Sequence, residues 1–543
     1  MEVFLAFAAV IVFICVLLNN ASTKLGIPVL LAFIVLGIIV GSTGLTPEVN
    51  NFEFAEKICT VALIFIMFYG GFGTNWKAAR GVAVESGILA TLGVFLTAGL
   101  TGTFCHFILQ WGWIESLLMG SVVSSTDAAS VFSILRSRKL GLRNGTAPLL
   151  ELESGSNDPC SYMLTAVTIS LLQGSASAGH VVWMVFSQIF FGALFGLVIA
   201  QAGVAAMRRL NFATKGFDSL FIFGIAIFAY AIPSIVGGNG YLSTYIVGIV
   251  LGNNHFRGRK DLVNFFDGLT SMMQVLIFFL LGLLARPELM HRVLLPAIAI
   301  FFFMVIIARP ATIALVLTPF RKYGFKQQML ISFVGLRGAA SIVFAIMATV
   351  GNSILQNDIL NIVFCIVLLS IALQGSLIPF VAKKLDMIDP EADVMKTFSD
   401  FSEEADLQFS EIKVDSQSPW AGLSLKELKL PKSALVCSIL HPDGTKSVPD
   451  GNTVLAEGDE AIVCSKAFRS GRHLKIIEHP LSKGSKWAGK MIMEYPANTG
   501  NQILMIRHSD GRSEIPNGKT VLHEGDVLFI NTADLSAGAR GPI

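Results

Sequence analysis

The stretch GSVVSSTDAASVFSIL, residues 120–135, breaks an apolar run with four consecutive polar side chains. A second stretch, ELESGSNDPCSYML at residues 151–164, places carboxylates and an amide inside another apolar segment. A carboxylate at membrane depth is costly and marks a functional site by default. We therefore expect Asp127 and Asp158 to lie on neighbouring helices and to face one cavity. Their oxygens suit a hard cation, and a carboxylate can also carry a proton.

The composition around these stretches is that of a membrane protein. Of the 543 residues, 53% are hydrophobic and 14% are charged, whereas a soluble domain carries about 25% charged residues. The deficit lies in residues 1–386, where apolar runs of spanning length follow one another. We therefore predict a polytopic α-helical membrane domain followed by a soluble tail. The net charge of +2 gives no indication of a nucleic-acid partner.

The apolar runs predict about thirteen membrane-spanning helices. The predicted spans are 2–19, 27–44, 57–74, 82–105, 113–135, 146–173, 179–205, 217–235, 241–253, 263–285, 288–317, 326–350 and 355–382. Basic residues are concentrated in every second loop, for example Arg136, Arg138, Lys139 and Arg143 before the sixth span. The positive-inside rule makes these loops cytoplasmic, with the N-terminus outside and the tail inside.

The predicted domains are a transmembrane part at 1–386, a polar linker at 387–410 and two small domains at 411–470 and 471–536. The two copies emerge when the tail is shifted by 67 residues, which aligns turn and core residues. The aligned segments include Trp420-Ala421-Gly422 with Trp487-Ala488-Gly489, and Glu457-Gly458-Asp459 with Glu524-Gly525-Asp526. Each copy is predicted to be an α+β domain.

A possible regulatory ligand site in the tail is formed by His441, Asp443, His508 and Asp510, which repeat between the copies. Each of the two aspartates precedes a glycine, and Asp-Gly is typical of hairpin turns. The alternative is that these residues only hold the turns and the core of each copy.

The predicted helix at 146–173 carries its polar side chains on one broad face. Glu153 and Asn157 are four residues apart, and so are Ser154 and Asp158, so each pair lies on neighbouring turns. This face offers two carboxylates, a hydroxyl and an amide.

The polar patch in the segment 113–135 suggests an interrupted helix, because unwound backbone carbonyls in such a break can bind a cation. The sequence DAASVF that starts at Asp127 resembles GAASIVF at Gly338, in the span 326–350. The two spans have opposite predicted orientations, as expected for inverted repeats with paired broken helices. The alternative is a continuous polar helix in which Asp127 makes a structural pair.

Two arginines, Arg309 and Arg337, lie in apolar segments, and an unpaired buried arginine is untenable. We predict a structural ion pair between Glu153 and Arg337, which leaves Asp158 free to titrate. Arg309 is a possible second buried cation, whose partner stays open.

Five motifs resemble the NhaP branch of the monovalent cation/proton antiporters, with the closest likeness to the CvrA-like potassium/proton antiporters. They are SSTDAAS at 124–130, ESGSNDP at 153–159, GYLSTYIVGIVLGN at 240–253, ARP at 308–310 and VGLRGA at 334–339. The two tail copies resemble the C-terminal subdomain of RCK (TrkA-type) regulators of potassium transport.

The resemblance implies a homodimer with an NhaA/NhaP-like inverted-repeat fold in the inner membrane of a bacterium. It implies that Asp158 is the carboxylate that binds cation and proton, and that Asp127, Ser154 and Thr126 shape the site. The resemblance also implies electroneutral exchange. Family members with asparagine before the aspartate, as at Asn157, look electroneutral, whereas those with two adjacent acids look electrogenic. The amide removes one negative charge that would have to be compensated in each transport cycle.

One position departs from this resemblance. Tyr69 stands where many relatives have an acidic residue before the paired glycines of the third span. The ion pair that this acid makes in relatives must be absent or replaced here, which affects the partner of Arg309 or Arg337.

The sequence as a whole favours an electroneutral secondary antiporter that exchanges a monovalent cation, potassium favoured and sodium possible, for a proton by alternating access. We expect a transporter in the lipid bilayer, not an enzyme, that needs no cofactor. The tail is predicted to sense a cytosolic ligand, such as a nucleotide, and to bias the transport cycle. Two alternatives stay open: a ligand-gated cation channel with an RCK-like gate, and an intramembrane aspartyl hydrolase that uses Asp127 and Asp158.

Overall fold

The computed structural model divides the chain into two compact units, Met1–Glu403 and Glu404–Ile543. The described residues are 13–14, 29–42, 52–138, 140–174, 177–210, 216–254, 259–350, 355–389, 407–415, 418, 420–428, 430, 434–442, 445–466, 475–481, 485, 487–494, 501–508, 513–514, 516 and 518–532.

Helices α1 to α14 build the described part of the first unit, and they follow the apolar runs of the sequence. They are α1 (Val29–Ser42), α2 (Phe52–Gly73), α3 (Ala83–Phe107), α4 (Trp113–Val122), α5 (Ala128–Ser137), α6 (Thr146–Leu172), α7 (Ala178–Arg209), α8 (Phe217–Ile235), α9 (Gly240–Gly252), α10 (Arg259–Leu284), α11 (Met290–Phe320), α12 (Phe325–Phe333), α13 (Ala339–Thr349) and α14 (Ile359–Lys384). Among the described residues, six helices are long and apolar enough to cross a membrane, namely α3, α7, α8, α10, α11 and α14. The number of spans stays a prediction, and the predicted span 2–19 lies outside the described residues apart from Phe13 and Ile14.

Two of the predicted spans are interrupted at their polar centres. Residues 123–127 between α4 and α5 are not helical, and neither are residues 334–338 between α12 and α13. Serine, threonine and aspartate side chains compete with the helical backbone for hydrogen bonds, and glycine adds backbone freedom, so both segments are weak helix formers. The alternative of a continuous polar helix is therefore wrong.

The two breaks, at residues 123–127 and 334–338, cross and hydrogen-bond to each other. The Asp127 N–H donates to the Leu336 carbonyl at 2.8 Å, and the Ser125 and Ser341 hydroxyl oxygens lie 3.3 Å apart. These bonds satisfy polar groups that would otherwise be unpaired in an apolar surrounding. The prediction of crossed broken helices is confirmed.

Helices α2, α6 and α9 pack closely around the ring of Tyr245 in α9. A methyl group on Gly71 of α2 would lie 3.2 Å from Tyr245 Cδ2, and one on Gly155 of α6 would lie 2.7 Å from Tyr245 Cε2. The backbone of α9 and the edge of the ring approach α2 at Gly71, and the ring itself packs on α6 at Gly155, because both positions lack a side chain.

A short antiparallel ribbon joins the loop before α6 to the end of the membrane unit. Strand β1 (Gly141–Leu142) pairs with β2 (Ile388–Asp389), and the Arg143 N–H donates to the Met387 carbonyl at 3.0 Å. Met387 is buried in an apolar cluster that also receives residues of α5 and α12. The ribbon therefore fastens the chain that leads to the tail onto the loop between α5 and α6.

The described residues of the second unit form two four-stranded antiparallel sheets with the same strand order. The first sheet has the order β3-β6-β4-β5, with β3 (Leu407–Lys413), β4 (Ala434–Leu440), β5 (Lys446–Ser447) and β6 (Glu460–Lys466). The second has the order β7-β10-β8-β9, with β7 (Lys475–Pro480), β8 (Asn501–Arg507), β9 (Ser513–Glu514) and β10 (Val527–Thr532). The shared order agrees with the repeat in the sequence.

The described tail residues form strands and a 3-10 turn at Ile492–Glu494, whereas α+β copies were predicted. The predicted hairpin turns at Asp443-Gly444 and Asp510-Gly511 lie outside the described residues. Strand β2 and the start of β3 fall inside the predicted linker 387–410. The domain boundaries given above stay a prediction.

Candidate cation site

Thr126, in the break between α4 and α5, is held by two side chains of α6. The Ser154 hydroxyl donates to the Thr126 carbonyl at 2.5 Å, and the Asn157 amide donates to Thr126 Oγ1 at 2.7 Å. All three residues are buried. Three residues predicted for the site are therefore in direct contact, and they tie α6 to the break.

Asp158 lies next to this contact, on the same helix. It is 6% exposed, and its Oδ1 has no hydrogen-bond partner among the described residues. The Ser125 side chain and the charge of Asp127 are close enough to act on the Asp158 carboxylate. A buried carboxylate without full hydrogen bonding is costly while it is charged. The Asp158 carboxylate is therefore expected to bind one positive charge, either a proton or a cation.

Asp127 caps α5 and also faces the start of α13. Its Oδ1 accepts from the Ser130 N–H at 3.1 Å, and its Oδ2 accepts from the Ser130 hydroxyl at 2.6 Å. A methyl group on Gly338 would collide with the Asp127 carboxylate, so the carboxylate can occupy this position only because residue 338 has no side chain. A negative charge between two helix N-termini is stabilised by their dipoles. The role of Asp127 as a cation ligand stays a prediction.

Arg337, in the break between α12 and α13, faces the carbonyl groups that follow α4. Its Nη1 donates to the carbonyls of Ser124 at 2.9 Å and Ser125 at 2.6 Å. Its backbone N–H donates to the Ser370 hydroxyl at 3.0 Å. Two hydrogen bonds of the guanidinium thus go to backbone oxygens at the negative end of a half-helix.

The predicted ion pair between Glu153 and Arg337 is wrong in its partner. Glu153 Oε1 lies 2.6 Å from Arg309 Nη2, and both side chains are buried. A π-helical turn at Met304–Ala308 directly precedes Arg309 and changes the face on which this arginine lies. Within the described residues Arg337 forms no salt bridge with Glu153; the Glu153 charge acts on it from nearby, and its Nη1 hydrogen bonds go to carbonyl oxygens.

Tyr69, which replaces the acid of many relatives, makes a different contact. Its hydroxyl donates to Asp267 Oδ1 in α10 at 3.3 Å. The partner of Arg309, left open by the sequence, is Glu153.

Several serines that the sequence did not single out also belong to the site. Ser161 in α6 donates to the Ser121 carbonyl at 2.6 Å, and Ser124 donates to the Ser161 hydroxyl at 3.2 Å. Ser341 approaches Ser125 across the crossing. In the sequence, the two serines before Thr126 and the serine in the similar segment after Gly338 could have indicated that serines belong to the site.

The tail histidines fill equivalent positions in the two sheets. His441 Nδ1 lies 2.8 Å from Asp459 Oδ1, and His508 Nδ1 lies 3.1 Å from Asp526 Oδ1. The hydrogen bond with Asp526 raises the pKa of His508 above its usual value. These contacts favour the structural alternative for the two histidines. Asp443 and Asp510 lie outside the described residues, so the ligand site stays a prediction.

Crossed broken helices around a buried carboxylate are typical of a class of membrane protein, the secondary transporters. A family profile described as "Sodium/hydrogen exchanger, transmembrane" matches residues 9–384, and a TrkA-C domain profile matches residues 409–467 and 476–536. The chain belongs to the sodium/hydrogen exchanger family. Membership favours exchange over the channel and hydrolase alternatives.

Curated relatives match most of the chain. The K(+)/H(+) antiporter NhaP2 of Shewanella oneidensis is 32% identical over 470 residues, which are 85% of this chain and 80% of that protein. The K(+)/H(+) antiporter NhaP of Alkalimonas amylolytica is 32% identical over 462 residues, 84% of this chain and 80% of that protein. The probable Na(+)/H(+) antiporter 2 of Methanocaldococcus jannaschii is 29% identical over 300 residues, 52% of this chain and 69% of that protein.

The fold is also similar to that of a solved structure. The sodium proton antiporter MjNhaP1 of Methanocaldococcus jannaschii superimposes with a TM-score of 0.61 at 23% identity, covering 69% of this chain and 100% of that chain. The predicted NhaA/NhaP-like fold is confirmed.

Proposed function

We propose that this antiporter exchanges potassium for protons without net charge transfer, with sodium as a possible second cation. The observation that carries the proposal is the buried Asp158 carboxylate, whose Oδ1 has no hydrogen-bond partner in the described part of the chain and whose neighbour in the sequence is an amide, Asn157. The names of the relatives from Shewanella oneidensis and Alkalimonas amylolytica support potassium.

Competition for Asp158 couples the two fluxes. A charged, unpaired carboxylate is costly inside the protein, so the loaded forms with either a proton or a cation cross the membrane at lower cost than the empty form. Each half of the cycle therefore carries one positive charge on the same carboxylate. Asn157 adds no second titrating group, and its amide instead holds Thr126 in place.

Alternating access exposes the cation site to one side of the membrane and then to the other. In the proposed cycle, the crossed helices and α6 move as one body, because Ser154 and Asn157 bind Thr126 directly. We place the chain as a homodimer in a bacterial inner membrane, with the N-terminus outside and the tail in the cytoplasm. The distribution of basic loops and the resemblance to NhaP-type antiporters support this placement.

A cation series in proteoliposomes tests the substrate. Addition of potassium to liposomes that contain the full chain should release protons with the lowest apparent KM, about tenfold below that for sodium, which corresponds to about 1.4 kcal/mol. Lithium and rubidium complete the series, and protein-free liposomes are the control. A sodium response that equals or exceeds the potassium response would overturn the potassium assignment, and no response to any cation would overturn the function.

Electroneutrality has a separate test in the same liposomes. Moving one net charge against 100 mV costs about 2.3 kcal/mol, so an electrogenic antiporter is slowed by the voltage that it creates. A permeant anion such as thiocyanate removes that voltage. We expect the initial rate of proton movement to be the same with and without thiocyanate, and a clear stimulation would contradict electroneutral exchange.

We propose that the tail biases the transport cycle in response to a cytosolic ligand such as a nucleotide. The observation in favour is the ribbon of β1 and β2, which fastens the chain before the tail to the loop that leads into α6.

Removal of residues 404–543 should therefore change the exchange rate or its dependence on pH. The measurement is proton movement in proteoliposomes made with equal amounts of full-length and truncated protein. Identical rates at every pH from 6 to 9 would rule out a regulatory role for the tail under these conditions.

A further inference from the structure

Glu151 and Tyr245 are not used in the mechanism described so far, and they lie on the approach to Asp158. Glu151 is in the second turn of α6, seven residues before Asp158. Seven residues are close to two helical turns, so the two carboxylates share one face of α6 at a rise of about 10 Å. Glu151 is half-buried and Asp158 is buried, so Glu151 is the acid nearer to solvent.

Tyr245 occupies the position between these two acids. Its ring lies on Gly155, which is one turn from Glu151 and one turn from Asp158. A methyl group on Gly155 would lie 2.8 Å from the Tyr245 hydroxyl oxygen. Both carboxylates are close enough to act electrostatically on Tyr245.

The Tyr245 hydroxyl is buried and unsatisfied. The residue is 3% exposed, and its hydroxyl oxygen has no hydrogen-bond partner among the described residues. Ser156 and Thr74 lie beside it, but neither meets it with hydrogen-bond geometry. A buried hydroxyl without a partner costs about 1–3 kcal/mol, and such a group calls for an explanation.

Tyr245 is held in this position from two sides. Gly71 in α2 admits the Tyr245 carbonyl and the edge of the ring, and Gly155 in α6 admits the ring. The hydroxyl is therefore fixed near the face of α6 that carries Glu151 and Asp158, and a neutral hydroxyl oxygen can bind a hard cation alongside a carboxylate.

We propose that Glu151 and the Tyr245 hydroxyl form a docking site for the transported monovalent cation on the tail side of Asp158. The half-buried carboxylate raises the local cation concentration. The hydroxyl then replaces part of the cation's water shell one turn before Asp158. The site lies at the end of α6 that follows the β1–β2 ribbon, which is the side from which the chain leads to the tail. This inference rests on the proposed role of Asp158.

The test uses membrane vesicles that contain the full chain in each orientation, with the orientation checked by protease cleavage of the tail. Potassium is the probe, and the apparent KM is measured with potassium supplied at the tail face or at the opposite face. Glu151→Gln and Tyr245→Phe should each raise the tail-face KM about three- to tenfold, with the KM at the opposite face unchanged. Tyr245→Phe keeps the ring beside Gly155 and removes a hydroxyl that has no hydrogen-bond partner in the described part of the structure, so its thermal stability should equal or exceed that of the parent.

Asp261→Asn is the matched control, because Asp261 is an exposed acid in the first turn of α10. It should leave the KM at both faces unchanged. An unchanged KM in either test variant, or an increase that is equal at both faces, overturns the docking site. Asp158→Asn separates the two proposals. If Asp158→Asn still exchanges cations for protons, the proposed function is wrong. If Asp158→Asn loses exchange but Glu151→Gln and Tyr245→Phe keep the parental KM at both faces, only the docking site is wrong.

Discussion

Asp158→Asn should lower cation/proton exchange by at least about 100-fold, equivalent to about 2.7 kcal/mol or more in the transport barrier. Asparagine has nearly the shape of aspartate, but it neither takes up a proton nor carries the charge that attracts a cation. Asp158 is 6% exposed, so bulk solvent does not replace the missing charge. Proton release from proteoliposomes on addition of potassium measures the effect.

The same substitution should not damage the fold. Oδ1 of Asp158 has no hydrogen-bond partner among the residues that the structure describes, so removal of the buried charge relieves a desolvation cost. The thermal unfolding temperature should therefore equal or exceed that of the parent. Asp261→Asn, which removes an exposed carboxylate, should keep parental exchange. Exchange that persists in well-folded Asp158→Asn would show that another group carries the proton.

Arg309→Met should destabilise the protein by about 3–5 kcal/mol, because it leaves Glu153 as an unpaired buried carboxylate. The side chains of Arg309 and Glu153 are 4% and 1% exposed, and their charged atoms are 2.6 Å apart. Replacement of both residues by methionine removes both charges and should recover most of the loss. Thermal unfolding of the purified protein in detergent compares the single and the double variant.

An exposed ion pair provides the control for this measurement. Arg143 and Asp386 form a pair at 3.2 Å, with side chains that are 41% and 72% exposed. Arg143→Met should therefore cost less than about 1 kcal/mol. If Arg309→Met cost no more than Arg143→Met, or if the double variant were no better than Arg309→Met, the Glu153–Arg309 pair would not be the structural element described above.

The sequence predicted the helices and the two breaks because both depend on local composition. Apolar runs of spanning length define helices whatever surrounds them. Four adjacent polar residues, from Ser124 to Asp127, weaken a helix at that point. The likeness between the segments after Asp127 and Gly338 correctly pointed to a pair of breaks that cross.

The partners of the buried arginines could not be predicted in the same way. Which residue Arg309 meets depends on the rotation of α11, and the π-helical turn at Met304–Ala308 alters that rotation without an obvious mark in the sequence. The assumption that each buried arginine hydrogen-bonds to a carboxylate was also wrong. In the crossing, Arg337 Nη1 donates to the carbonyls of Ser124 and Ser125.

Contacts between short segments that are distant in the sequence could not be predicted from local sequence patterns either. Tyr245 lies within a motif that the resemblance included, yet its place between Gly71 and Gly155 follows from how three helices pack. The two-residue strands β1 and β2 have no periodicity to detect, and they are separated by most of the membrane unit.

The β1–β2 ribbon has a thermodynamic consequence for the tail. Under the proposed regulation, a tail ligand favours one transport state because the chain before the tail is paired with the loop that leads into α6. Linkage between binding sites is reciprocal. Cation occupancy at Asp158 must then change the affinity of the tail for its ligand by the same factor. The fraction of tail that binds its ligand would therefore report the concentration of the transported cation.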